Sequence, residues 1–180
     1  TNALPQDSKK ILQGWAENIW ETGITFGTVA GKRGDTTVEV TTYRTESYDP
    51  DSRKPEVEYG ESIHGDLSRR DFTVNSMALE LTGEKPEFID PFNGLQDLAA
   101  KLLRTPGKPG DSFNDDPLRM MRAARFASQL GFEIAPEVLA SMKDLAHRIS
   151  IISAERVREE FTKMLMSPNP RIGITVLVDT

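Results

Sequence analysis

Residues 114–126 have the sequence Asn-Asp-Asp-Pro-Leu-Arg-Met-Met-Arg-Ala-Ala-Arg-Phe, which has the spacing of a helix with one charged and one apolar side. At about 100° per residue, Asp115, Arg119 and Arg122 fall within a sector of roughly 60°. Asp116 and Arg125 lie at the two edges of this polar side. The opposite, apolar side is formed by Leu118, Met120, Met121, Ala124 and Ala127.

Two interpretations of the polar side are open. In the first, it is a solvated helix face on which Asp115 and Arg119 form an i,i+4 ion pair. In the second, it recognises a nucleotide, because arginine offers N–H donors in a rigid fork and a carboxylate offers only acceptors. An Asp and an Arg one turn apart match the base-pairing edge of cytosine or adenine. They reject uracil and guanine, whose carbonyl oxygen would face the carboxylate.

A second cluster, DLSRRDFTVN at residues 66–75, places two arginines before the expected start of a short helix. Arg69 and Arg70 can hold a phosphate group together with backbone N–H groups, and Asp71 can cap the helix. The alternative is a capped helix with two arginines on its surface.

The first half of the chain has the pattern of a mixed α/β region. Helical spacing predicts a helix over 4–20, and two strands are predicted over 27–31 and 37–43, joined by a turn at 32–35. Proline and polar residues predict a loop over 45–61. Further along, the pattern predicts a short helical segment over 72–79, a strand near 88–91 and a helix over 94–103.

From residue 111 onward, every predicted element is a helix. The predicted helices cover 116–130, 136–148, the segment from 153 to the residue before Pro168, and 172–178. The pattern changes between 105 and 110. We therefore expect an α+β protein with a mixed first part, 1–105, and an all-helical second part, 106–180.

Composition excludes several classes of protein. The chain has 180 residues, a net charge of -6 and no cysteine, so disulfides, thiolate zinc sites and a cysteine nucleophile are excluded. The negative charge is opposite to that of a generic polyanion binder, so nucleic-acid contacts must come from a local basic cluster or from other parts of the protein. The longest apolar runs are shorter than the roughly 18 residues of a membrane helix, and we expect a cytoplasmic protein without membrane contact.

Glu39 is a candidate metal ligand in the first half. It lies on a predicted strand whose same face otherwise carries Thr37 and Thr41. Such a face is either solvated or, with its carboxylate, close to a magnesium site. His64 and His147 have no partners at ligand spacing, so we assign neither a function.

Three runs, taken in order, resemble the class II tRNA nucleotidyltransferases, which are the CCA-adding enzymes and the related bacterial poly(A) polymerases. They are RRDFTVNSMA at residues 69–78, IDPFNG at 89–94 and DDPLRMMRAARF at 115–126. The strand VEVTTYR at 38–44 and the run SAER at 153–156 also match. The resemblance therefore extends over essentially the whole chain, in the order of the family.

The resemblance implies a fold and an activity. Residues 1–105 would be a partial polymerase-β-like nucleotidyltransferase head without its catalytic D-x-D strand, and 106–180 a helical neck that is incomplete at its C-terminal end. The implied activity is template-independent addition of CMP and AMP to the 3′ end of tRNA. CTP and ATP are the implied substrates and Mg²⁺ the implied cofactor.

The resemblance also implies roles for individual residues. Asp116 and Arg119 would pair with the incoming base, Arg122 and Arg125 would bind the nucleotide, and Arg70 would contact it from the head.

The remaining implied residues have less specific roles. Asp71 and Asn75 belong to the same motif as Arg70. Asp115 stands where the family usually has Glu in its base-reading pair. Glu39 matches a strand carboxylate associated with the metal site, which makes it the catalytic and metal-ligand candidate of this chain.

The G-G-x-x-R-D motif of the family does not occur in the sequence, and the metal-binding D-x-D pair does not occur at the place that it has in the family. In the family they lie just upstream of a segment like residues 1–5. We therefore expect this chain to start after the catalytic aspartates and to end inside the neck. Because Glu39 alone does not assemble a metal site, we expect this piece to be inactive.

Other functions remain open at this point. Within the family, the protein could be a poly(A) polymerase or an enzyme that adds only CC or only A. In another class, it could be a nucleotide- or RNA-binding module without catalysis. We expect CTP and ATP as partners, with the tRNA 3′ end bound mainly by domains outside this sequence. The number of chains in the assembly is left open.

Overall fold

The computed structural model describes residues 1–21, 27–47, 56–60 and 62–180. It divides into two compact units, Thr1–Asp66 and Leu67–Thr180. Within the described residues, no helix has the length and apolar character needed to cross a membrane.

A helix and an antiparallel sheet form the centre of the first unit. The sheet has the order β1-β2-β3, and Val29 on its central strand is fully buried. Pro5 begins the helix because its missing N–H is not needed in the first turn. The elements up to the end of the unit are α1 Pro5–Gln13, β1 Asn18–Trp20, β2 Thr28–Arg33, β3 Thr36–Thr41, β4 Arg44–Ser47, β5 Glu56–Tyr59 and α2 Ile63–Ser68, whose last two residues belong to the second unit.

The helix predicted over 4–20 is too long. It ends at Gln13, and Gly14 follows with its N–H bonded to the last helical carbonyls. Asn18–Trp20 instead forms a strand that pairs with β2, with Ile19 opposite Gly31. Residues 14–20 keep the helical spacing of apolar residues but do not form a helix. Pairing with a strand later in the chain determines their structure instead.

Two other predictions in the first unit are also corrected. β2 continues to Arg33, so the turn is shorter than predicted, and Gly34 takes a positive φ of 56° there. The loop predicted over 45–61 is wrong at its described ends, where Arg44–Ser47 pairs with Glu56–Tyr59 in an antiparallel ladder. The two strands pair across the intervening chain, so the polar composition did not indicate this ladder. The rest of that prediction, 48–55 and 61, lies outside the described residues.

The second unit contains a small hairpin and six α-helices. Its elements are a 3₁₀ turn Thr73–Asn75, β6 Ala78–Glu80, β7 Glu87–Ile89, α3 Gly94–Ala100, β8 Leu102–Leu103, α4 Pro109–Asp115, α5 Leu118–Leu130, β9 Glu133–Ile134, α6 Pro136–Leu145, a 3₁₀ segment Ala146–Ile151, α7 Ala154–Leu165 and α8 Pro170–Asp179. β6 pairs with β7, and β8 pairs in parallel with β9.

Three predictions for residues of the second unit are corrected by the structure. The short helix predicted over 72–79 is one 3₁₀ turn, because Ala78–Glu80 pairs with β7. The helix predicted over 94–103 ends at Ala100, since Leu102–Leu103 pairs with Glu133–Ile134 inside the region predicted to be purely helical.

The third change concerns the run that contains the candidate residues. Asp116 is extended, with φ -141° and ψ 98°, between α4 and α5. Pro117 explains this break, because a proline ring disfavours helical backbone in the residue before it. Asp115 therefore ends α4, and the predicted common sector of Asp115 with Arg119 and Arg122 is wrong.

α5 is the central helix of the second unit and is buried on most sides. Its apolar residues join a core that includes Phe72, Phe113, Val138 and Met142. α7 and α8 pack on its other sides. Gly173 of α8 allows the closest approach, because a Cβ there would lie 2.7 Å from the carbonyl oxygen of Ala124.

Candidate functional site

The three arginines of α5 differ in burial. Arg119 and Arg125 are only 9% exposed, whereas the side chain of Arg122 is 33% exposed. The first interpretation, a solvated helix face, is therefore wrong for Arg119 and Arg125. Buried guanidinium groups need partners, and the neighbouring elements supply them.

Arg119 is held on two sides by neutral oxygen atoms. Its Nη1 donates to Ser112 Oγ at 2.8 Å, and its Nη2 donates to the backbone carbonyl of Arg69 at 2.6 Å. An arginine has five N–H donors, so about three remain for another partner. The contacts hold the guanidinium in place without neutralising its charge.

Asp116 lies one turn before Arg119 and caps α5. Its Oδ1 accepts from the N–H of Leu118 at 3.1 Å, and its Oδ2 accepts from Arg156 Nη2 at 3.0 Å. A carboxylate has about four acceptor positions, so about half of its capacity remains. An unused acceptor just before α5 thus comes three residues before unused donors in the first turn of α5.

Asp71 accepts four hydrogen bonds and anchors Arg122. Its Oδ2 receives Arg122 Nε at 2.8 Å and also Arg122 Nη2, while its Oδ1 receives the N–H of Phe72 at 2.9 Å and Asn75 Nδ2 at 3.0 Å. Burial opposes the charge of this carboxylate. The Arg122 guanidinium and the hydrogen bonds outweigh burial, so the pKa of Asp71 lies below its ordinary value.

Arg125 is paired with a buried acid of α7. Its Nε donates to Glu160 Oε2 at 2.5 Å, and its Nη1 donates to Gln129 Oε1 at 2.7 Å. The guanidinium lies 4.1 Å from the ring centre of Phe126, which the guanidinium of Arg122 also faces at 5.3 Å. Arg122 and Arg125 are thereby brought together on one side of α5.

The remaining candidates of this unit lie nearer the surface. Arg70 is exposed and donates to the carbonyl of Asn75 at 3.2 Å. Asn75 therefore contacts both Asp71 and Arg70. Asp115 is exposed at the end of α4 and is separated from α5 by the break at Asp116.

Glu39 lies in the first unit, exposed on β3 and opposite Ala30 of β2. In the part of the chain that the structure describes, no group of three or more His, Asp or Glu side chains could hold a metal ion. Glu39 thus lacks companion ligands there, and the described residues by themselves do not fit a magnesium site.

Sequence reasoning missed three residues: Ser112, Arg156 and Glu160. A signal existed for Glu160, because it continues the spacing of Val157 and Met164 along the apolar side of α7, where a charge must be paired. No local signal identifies Ser112 or Arg156, since each contacts a residue outside its own helix.

Two family models match the chain. The first, "Poly A polymerase head domain", matches residues 1–104. The second, "Probable RNA and SrmB- binding site of polymerase A", matches residues 131–180. The segment 105–130, which contains α4 and α5, lies between the two matches.

Curated relatives are similar over the full length of the chain. The CCA-adding enzyme of Lactobacillus helveticus (strain DPC 4571) is 41% identical over 100% of this chain and 44% of the relative. The CCA-adding enzyme of Enterococcus faecalis (strain ATCC 700802 / V583) is 42% identical over 100% of this chain and 43% of the relative. The chain thus spans less than half the length of these relatives.

Solved structures share the fold. The crystal structure of the Bacillus stearothermophilus CCA-adding enzyme in complex with CTP matches with a TM-score of 0.85 and 34% identity, over 99% of this chain and 42% of the other. A tRNA nucleotidyltransferase complexed with a primer tRNA and an incoming ATP analog matches with a TM-score of 0.78 and 28% identity, over 98% and 48%. The expected class, a nucleotidyltransferase head followed by a helical neck, is confirmed.

Proposed function

This chain belongs to the family of the poly(A) polymerase head domain, and we propose that it is part of a template-independent tRNA nucleotidyltransferase. The protein would add CMP and AMP to the 3′ end of tRNA from CTP and ATP. The full-length similarity to CCA-adding enzymes supports this activity over other transferases.

The observation that carries the proposal is the pair formed by Asp116 and Arg119 at the start of α5. Each side chain is held by protein contacts and keeps unused hydrogen-bonding capacity. A preformed acceptor beside a preformed donor can bind a base edge with little loss of side-chain entropy. Ser112 and the carbonyl of Arg69 would orient Arg119, and Arg156 would orient Asp116.

Base selection follows from the chemistry of this pair. Cytosine presents acceptors at O2 and N3 and a donor at N4, and adenine presents an acceptor at N1 and a donor at N6. Arg119 would donate to the ring nitrogen, and Asp116 would accept from the amino group. Uracil and guanine would place a carbonyl oxygen against the carboxylate of Asp116. The hydrogen bond to Asp116 would then be lost, and a polar group would be left unpaired.

The other candidates would bind the remainder of the nucleotide. Arg122 and Arg125 carry positive charge on the same side of α5, and Arg70 lies before the 3₁₀ turn. Guanidinium groups form paired hydrogen bonds with phosphate oxygens. We assign these three arginines to the nucleotide, with Asp71 and Asn75 as residues that position Arg122 and Arg70.

Three further parts of the proposal concern the whole protein. Mg²⁺ would serve as cofactor, with Glu39 as one ligand and further ligands from residues beyond those described. Residues 1–105 would act as the head and 106–180 as the neck, and this chain alone would be inactive. A tRNA substrate would place the protein in the cytoplasm.

The proposal is tested with the full-length gene product and a tRNA that lacks its 3′-terminal CCA. Labelled CTP, ATP, UTP and GTP are supplied singly and in pairs, with and without Mg²⁺. We expect C addition from CTP, completion only when ATP is also present, and no addition without the metal. Addition of A alone to arbitrary RNA would indicate a poly(A) polymerase, and addition of only C or only A would indicate a single-specificity enzyme.

An RNA-binding module without catalysis is the second candidate. The family match at 131–180, whose description names RNA, favours it. In that case the gene product binds the tRNA in a mobility-shift assay but incorporates no nucleotide at any metal concentration.

A further inference from the structure

Glu160 is the most enclosed charged residue next to the arginines of α5. It is 5% exposed, and it lies on α7 between the core positions Val157 and Met164. Desolvating a carboxylate is unfavourable unless cations compensate, and an apolar residue would suit this position in the packing. The carboxylate therefore calls for an explanation beyond packing.

Three cations surround this carboxylate. Glu160 Oε2 accepts from Arg125 Nε at 2.5 Å, and Oε1 lies 3.8 Å from Arg122 Nη1 and 3.9 Å from Lys163 Nζ. Arg122 is in turn bonded to Asp71. Acidic and basic side chains thus alternate in space. Asp71, before the 3₁₀ turn, contacts Arg122 of α5, and the arginines of α5 contact Glu160 of α7.

The charges of this network balance. Arg122, Arg125 and Lys163 contribute three positive charges, and Asp71, Glu160 and Glu159, which also contacts Lys163, contribute three negative charges. Each guanidinium also keeps N–H donors that no acid uses, because one carboxylate oxygen occupies only part of the fork. The arrangement holds the arginines in place and leaves N–H donors that an anion can use.

From this geometry we infer that Glu160 is a positioning residue for nucleotide binding, which acts by fixing the guanidinium groups of Arg125 and Arg122. The inference rests on the proposed function, in which these arginines bind the nucleotide. Glu160 itself touches neither base nor phosphate, since a carboxylate next to a triphosphate would repel it. Through this residue, α7 contributes to the site although it holds none of the nucleotide ligands.

The test compares Glu160→Gln and Glu160→Asp in the full-length gene product with Glu155→Gln, a matched control at an exposed position of α7. Apparent KM and kcat for CTP and ATP are measured on tRNA lacking CCA. We expect both Glu160 variants to raise KM for CTP and ATP by the same factor, about tenfold, because the hydrogen bond to Arg125 and the ion pair with Arg122 lose their charge in Glu160→Gln and their reach in Glu160→Asp. We expect kcat and the preference for CTP over UTP to change by less than about threefold, and Glu155→Gln to match wild type.

A double-mutant cycle with Arg125→Gln separates positioning from general destabilisation. If Glu160 acts through Arg125, Glu160→Gln raises KM by less than about threefold in the Arg125→Gln background. If Glu160→Gln does not fold, Glu160→Asp, which keeps the charge, decides the question alone.

The measurements distinguish a failure of the role of Glu160 from a failure of the proposed function. The inference is overturned if a Glu160 variant melts at the wild-type temperature and has the wild-type KM. It is also overturned if the KM increase of the Glu160→Gln, Arg125→Gln double variant equals the product of the increases in the two single variants. If the wild-type protein incorporates no nucleotide, the proposed function fails first and the inference falls with it.

Discussion

Asp71 is the residue whose charge state has the clearest consequence for stability. Its pKa is lowered in the folded protein, because Arg122, Asn75 and the N–H of Phe72 together outweigh the effect of burial. A carboxylate with a lowered pKa stabilises the fold above its unfolded pKa, which is about 3.9. This contribution is lost as the pH falls through the lower, folded pKa.

We expect Asp71→Asn to lower the free energy of unfolding by about 2 kcal/mol near neutral pH, since a charge-assisted pair is lost. The difference from wild type should shrink steadily below about pH 4. Urea unfolding followed by far-ultraviolet circular dichroism measures this difference. Tryptophan fluorescence would not report on Asp71, because Trp15 and Trp20 both lie in the first unit and Asp71 lies in the second. Asp144→Asn, on an exposed position of α6, is the control. A difference that does not depend on pH would contradict this account of Asp71.

Arg122 should affect all accepted nucleotides alike. Arg122→Ala in the full-length gene product is expected to lower kcat/KM for CTP and for ATP by the same factor, about ten to a hundredfold, without admitting UTP. The physical reason is that Arg122 lies a full turn beyond Asp116 and Arg119 and would contact the part that CTP and ATP share. Arg158→Ala, on an exposed position of α7, serves as control. A selective loss for one base would place Arg122 at the base edge instead.

At this scale the sequence identified the residue types of the candidate site but not their contacts. The spacing of residues 115–125 indicated arginines and acids on one helix side, yet Pro117 separates Asp115 from the others. Apart from Gln129 of α5 itself, the partners of Arg119 and Arg125 lie on α4, on α7 and before the 3₁₀ turn. Contacts between residues so far apart in the chain leave no periodic signal.

The packing of α8 against α5 depends on Gly173. A Cβ at this position would lie 2.3 Å from Met164 Sδ, 2.5 Å from Ser128 Oγ and 2.7 Å from the carbonyl oxygen of Ala124. The N–H of Gly173 also donates to Ser128 Oγ at 2.8 Å, so the helix cannot move away without losing this bond.

We expect Gly173→Ala to destabilise the second unit by about 1–3 kcal/mol, the usual cost of overpacking a core. Gly110→Ala is the matched control, because nothing lies within 4 Å of the added Cβ and it lies in α4. That control should be neutral or stabilising by up to about 1 kcal/mol, as alanine favours helix over glycine. Equal melting temperatures for the two variants would show that the two helices are not closely packed.

Helices were predicted better than strands. The starts at Pro136 and after Ser153, and the end at Gly131 with its positive φ of 67°, are confirmed because each signal is local. The strands Asn18–Trp20 and Glu133–Ile134 were missed. Each has two or three residues and forms only by pairing with a segment distant in the chain.

For the whole molecule, the ordered motifs predicted the family correctly. The division of the chain into compact units could not be predicted in this way, because it depends on contacts between residues far apart in the chain. Phe72 and Leu103 share a core with Phe113 and Ala123, so residues from before and after position 105 pack together within the second unit. The boundary between 105 and 106 stays a prediction about function. Composition and periodicity describe neighbours in the chain and therefore carry no information on this packing.

The central claim is that the start of α5 reads the base of the incoming nucleotide. The most direct measurement is the ratio of kcat/KM for CTP to that for UTP, in the full-length gene product and its Asp116→Ala variant, on tRNA lacking CCA. We expect the ratio to fall by about one to two decades in the variant, because the carboxylate that repels the uracil carbonyl is gone. If Asp116→Ala retains the wild-type ratio, Asp116 does not select the base and the account of this site is wrong.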